Sequence, residues 1–78
     1  MSEEKELTHG QKLCGVNFNP TQDPLIADIK QRYADIADML IAEAEKSESK
    51  GRQHVITLAL NELVTAQMWA IKAVTWTH

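Results

Sequence analysis

Phe18, Asn19, Lys12, Lys30 and Arg52 are the residues of this chain whose types could do chemistry with a ligand. Phe18 is the only phenylalanine. It lies in GVNFNPTQDP, residues 15–24, a polar stretch that also holds both prolines. A flat ring stacks on a heterocycle, and ammonium or guanidinium groups meet phosphate. Neutral groups such as Asn19, Thr21 and Gln22 add hydrogen bonds. Ring, cations and amides together suit a nucleotide. A structural use of Phe18 competes with this one. Apolar residues ahead of a helix cap often tuck against the helix as a staple, and composition by itself favours that use. Trp69 and Trp76 read as core or interface anchors rather than ligand shelves.

Groups that could make or break bonds are missing their partners. Ser47 and Ser49 sit in a polar loop, with no base or orienting acid placed by a motif. Cys14 has no spacing that pairs it with His9 or His54. It reads as a small apolar residue rather than a nucleophile. Glu62, the only acid of the last long segment, reads as a cap or a pairing group across an interface. The histidines, His9, His54 and His78, are scattered, and no Glu-x-x-His pair suggests a di-metal bundle. No glycine-rich phosphate loop is present. With one cysteine there is neither an internal disulfide nor a four-thiolate zinc site. A reducing compartment is the simpler setting. The expectation is a protein that is not an enzyme and carries no metal and no cofactor.

The elements that would position these residues can be read from spacing. Residues 1–22 form a lead-in, with a short helical turn near Leu7–Leu13. Asp23-Pro24 is a helix start, because Asp caps free N–H groups and Pro loses nothing at the first helical position. Residues 24–46 then read as a first long helix. Ile26, Ile29, Tyr33, Ile36 and Leu40 recur at steps of three and four, which makes one face. Asp28, Lys30, Gln31, Arg32, Asp35 and Asp38 fall elsewhere, on a face expected to be solvated. KSESKG is a polar loop, and residues 52–76 read as a second long helix. Its stripe is Ile56, Ala59, Leu60, Leu63, Ala66, Ala70 and Ala73. Val55, Leu58, Trp69 and Trp76 widen the apolar surface well beyond that. The fold class is therefore all-α: an antiparallel two-helix hairpin with a short N-terminal lead-in, as a single domain over residues 1–78. One partner helix cannot cover the second helix, so the hairpin is expected to assemble into a compact homo-oligomer.

Size and charge agree with that picture. At 78 residues the chain buries little surface alone, and self-association is the remaining source of stability. A net charge of −3, from 8 basic and 11 acidic residues, argues against long nucleic acids, which need a basic stripe. It does not argue against a small anion. The polar, acidic MSEEKELTHG does not read as a signal peptide, and no apolar run approaches a membrane span.

Two longer stretches carry a resemblance. LTHGQKLCGVNFNPTQDPLIADIK and GRQHVITLALNELVTAQMWAIKAVTW together resemble the phage anti-CBASS cyclic-nucleotide sponges, whose hairpin domain is shared with anti-Thoeris sponges. The markers are the FNP(S/T)-x-D-P element at Phe18–Pro24 and the A-x-MWA-(V/I)-KA-x-TW element at Ala66–Trp76. The resemblance implies a non-enzymatic helical oligomer, often a hexamer, in the cytoplasm of an infected bacterial host. Such a protein binds cyclic oligonucleotide immune messengers and keeps the host effector silent. It implies cyclic dinucleotides between paired protomers, and in some members cyclic trinucleotides at a threefold site. Carried over residue by residue, Phe18 stacks a base and Lys30 contacts phosphate, while Arg52 belongs to the threefold site. A shorter lead-in and loop than in some members leave the pocket edge open. The rival expectation is a small structural adaptor whose hairpin docks a partner protein.

Overall fold

The computed structural model describes residues 6–19 and 22–77. Pro20 and Thr21 of the FNP element, and His78, lie outside them. Three helices account for most of the described residues, and no strand occurs among these: α1 (His9–Cys14), α2 (Pro24–Lys46) and α3 (Lys50–Thr75). The lead-in is thus more than a turn. It contains a helix of its own, which packs chiefly on α2 and touches α3.

Each start and stop has a local cause. Thr8 caps α1 by accepting from the Gln11 N–H at 3.0 Å, while the Gln11 side chain accepts from the Thr8 N–H at 2.9 Å. This reciprocal box satisfies two free donors. Gly15 ends α1 in the left-handed region at φ 63°. That lets the Val16 N–H reach Gln11 O at 3.1 Å and the Gly15 N–H reach Lys12 O at 3.2 Å. Asp23 caps α2 by accepting from the Leu25 N–H at 2.9 Å, with Pro24 at the first helical position. Ser49 caps α3, accepting from the Arg52 N–H at 3.1 Å, so α3 begins two residues before the apolar pattern predicts.

α2 and α3 are joined by residues 47–49 and pack against one another. Gln53 Nε2 closes the junction by donating to Ser47 O at 2.7 Å, and Arg52 pairs with Glu43 at 2.8 Å. The face of α2 that is buried is Ile26, Lys30, Ala34 and Ala37, not the predicted Ile26–Ile29–Tyr33–Ile36–Leu40 stripe. At 100° per residue the centre of burial is rotated by roughly 70°. The reason is α1. Ala34 and Ala37 are fully covered, and a Cβ added to Gly10 would lie 2.4 Å from Ala34 O. Only glycine allows this approach. Asp38, expected on the solvated face, accepts from the Gly10 N–H at 2.8 Å. Gln31 Oε1 likewise accepts from Gln11 Nε2 at 3.1 Å. Asp28 and Arg32 do behave as a solvated pair, 3.1 Å apart.

Candidate functional site

The Gly15–Asn19 turn follows from the end of α1. Once Gly15 has reversed the chain, the Phe18 N–H donates to Gly15 O at 2.9 Å. Asn19 then closes the approach to α2. Its Nδ2 donates to Asp23 O at 3.0 Å and its Oδ1 accepts from the Asp23 N–H at 3.3 Å. The polar residues that looked like a loose lead-in are a hydrogen-bonded connector.

Lys30 holds this connector from α2. It is only 6% exposed. Its Nζ donates to Gly15 O at 3.2 Å and to Phe18 O, and lies 5.3 Å from the centre of the Phe18 ring. The expectation that Lys30 sits on a solvated face is therefore corrected. Its stem crosses buried surface, and its ammonium finds carbonyls that no other group satisfies in full. An ammonium has three donors. Two are used on the backbone, and the third has no protein partner among the described residues.

Phe18 itself is 72% exposed. It does not tuck against the helices as a staple. Its underside is covered by the Lys30 ammonium, and its ring stands at the edge of a cleft of about 340 Å³. α1 contributes Lys12 and Leu13 to that cleft, α2 contributes Lys30, and α3 contributes Val64, Gln67 and Ile71. Lys12 is exposed at the rim. Gln67 is 4% exposed and lies at the register of the inward-facing stripe of buried Ile56 and half-buried Leu60, Leu63 and Ile71. A polar residue at a core register was the signal that could have singled it out. Cys14 lines the same wall, where burial pushes its thiol pKa up. The Asp38 charge adds to this rise and Lys30 opposes it. A thiol held neutral is a poor nucleophile.

Phe18, Lys30 and Lys12 are thus brought together, with Asn19 in the adjoining turn. Arg52 is not part of this cleft: it lies at the start of α3, paired with Glu43. The Glu43 carboxyl is held below its usual range by Lys46, which both hydrogen-bonds and attracts it, with Arg52 adding its charge. No group of three or more metal-ligating side chains occurs among the described residues, and no described helix is long and apolar enough to cross a membrane.

No family model, curated protein or solved structure matches this chain.

Proposed function

We propose that this chain folds as an antiparallel helical hairpin, assembles into a homo-oligomer and sequesters cyclic oligonucleotide messengers without degrading them. The presentation of Phe18 carries the reading. A large apolar ring left in water is costly unless something covers it, and this one is held in place by Lys30 through backbone carbonyls. Such a ring is a pre-organised stacking platform, so a ligand need not order it on binding. The third N–H of Lys30 and the ammonium of Lys12 supply the positive charge that a phosphodiester requires. Gln67 offers a neutral amide at the cleft wall.

The resemblance to phage sponges supplies the ligand class: cyclic dinucleotides, with cyclic trinucleotides as the second class and Arg52 as its contact. It also supplies a hexamer as the assembly and the infected bacterial cytoplasm as the setting. Two copies of the Phe18 platform facing one another would match a ligand with two bases and two phosphates. Among the described residues lining the cleft nothing favours turnover, since Cys14 is buried with its thiol pKa raised and no side-chain hydroxyl is present.

Calorimetry with a panel of cyclic dinucleotides and trinucleotides tests this reading. The bound compound is then recovered after heat denaturation and weighed by mass spectrometry. Saturable binding with recovery of the intact ring is expected. Linear products in proportion to protein, or no binding across the panel, would overturn it.

A further inference from the structure

Gln67 is 4% exposed on α3, at an inward register, and it lines the cleft that Phe18 borders. The amides of Gln11, Gln31 and Gln53 are taken up by hydrogen bonds within the fold. That of Gln67 makes none among the described residues. It is not sealed in either, because every described side-chain nitrogen or oxygen that is shut off from open space has a partner. Its Nε2 and Oε1 therefore open into the cleft. An amide that has lost most of its water and gained no partner is unfavourable in the free protein. A ligand that meets both atoms reverses that loss.

The other side chains of the cleft define what such a ligand lacks without Gln67. Lys12 and Lys30 can only donate, and Leu13, Val64 and Ile71 are apolar. Gly15 O already accepts from the Phe18 N–H and from Lys30. Gln67 Oε1 is the only side-chain oxygen among the described residues that line the cleft. An amine on a bound ring has no other side-chain oxygen to receive it there. We propose that, in the nucleotide-bound state on which this inference rests, Gln67 reads the edge of the base stacked on Phe18 and selects adenine.

A carboxamide presents one donor and one acceptor side by side. Adenine carries its amine between two ring acceptors, N1 and N7, so it offers the matching pair on either edge. The amine donates to Oε1 while N1 or N7 accepts from Nε2. Guanine offers a matching pair on its N1/O6 edge only. Its N7/O6 edge holds two acceptors, which would set one of them against Oε1.

Calorimetry with cyclic di-AMP and cyclic di-GMP, on the wild type and three variants, tests this assignment. The wild type is expected to bind cyclic di-AMP at least tenfold more tightly than cyclic di-GMP. Gln67→Leu is of similar size and reads neither edge, so the ratio should fall to near one. Gln67→Glu offers two acceptors, which suit the N1–H and N2 amine of guanine, so the order should reverse. Phe18→Ala should weaken both compounds alike, because stacking tolerates any base. The melting temperature of Gln67→Leu should hold or rise, since an amide without a partner stabilises nothing. A fall would mark a structural partner and overturn the assignment. So would a wild type without preference for cyclic di-AMP, or a ratio that Gln67→Leu leaves unchanged; the latter decides even where Gln67→Glu does not fold. A wild type that binds other cyclic nucleotides but neither of these two defeats the role of Gln67 alone. One that binds no cyclic nucleotide defeats the proposed function with it.

Discussion

Replacing Lys30 with Met keeps the stem and removes the ammonium, so it isolates the anchor. Two bonds from a charged donor are lost, those to Gly15 O and Phe18 O. Each such bond is worth about 1.5–3 kcal/mol when its partner stays dry. Both acceptors are only part-buried, and Gly15 O keeps its bond from the Phe18 N–H at 2.9 Å. Water recovers part of the loss, which leaves about 2–3 kcal/mol. The contact with the Phe18 ring adds at most about 1 kcal/mol at so exposed a site. For a domain of this size that is a fall in melting temperature of roughly 10–20 °C. Thermal circular dichroism measures it, and hydrogen exchange should show amides 15–18 exchanging faster than those of α2. Burying an ammonium also has a desolvation cost, and a Met that merely relieved it would raise stability. An unchanged or higher melting temperature, with amides 15–18 still protected, would refute the anchor.

Three further outcomes are expected. Phe18→Ala should weaken cyclic dinucleotide binding at least tenfold by calorimetry, since stacking is worth roughly 1–3 kcal/mol per base, while the melting temperature barely moves for so exposed a ring. Gly10→Ala should cost about 1–3 kcal/mol in chemical denaturation, because its Cβ would lie 2.4 Å from Ala34 O and 2.6 Å from Asp38 Oδ1. Cys14 is neutral when folded and its pKa is raised from 9.0, so the unfolded chain releases that proton first. Stability from this group is therefore full below pH 9 and falls as the pH rises through that value, a slope that Cys14→Ala should remove in melts across pH 7–11.

The beginnings of the helices were legible because their chemistry is local. Asp23-Pro24 specifies a cap and a first turn without reference to the rest of the chain. The seating of α2 was not legible in the same way. Periodicity weighs large apolar residues such as Ile36, yet a close approach between helices selects small ones, here Gly10, Ala34 and Ala37. The exposure of Phe18 was not legible from composition, which favoured a ring tucked against the helix ahead of its cap; the ring instead stands 72% exposed. The burial of Lys30 was not legible either, since a lysine amid charged residues reads as solvated until the carbonyls of Gly15 and Phe18 are known to lie above it. Gln67 was overlooked because an amide in an apolar helix carries no weight in a search for charge, although its register marks it as inward-facing.

Lys30 hydrogen-bonds the turn through main-chain oxygens, and its contact with the Phe18 ring is the smaller part of the grip. Those two hydrogen bonds do not depend on which side chain residue 18 bears. Phenylalanine could give way to tyrosine, tryptophan or histidine with the connector intact, each offering a different edge to whatever rests upon it. Under the proposed stacking role, single substitutions at that position would retune the preference among heterocycles and leave the helices untouched.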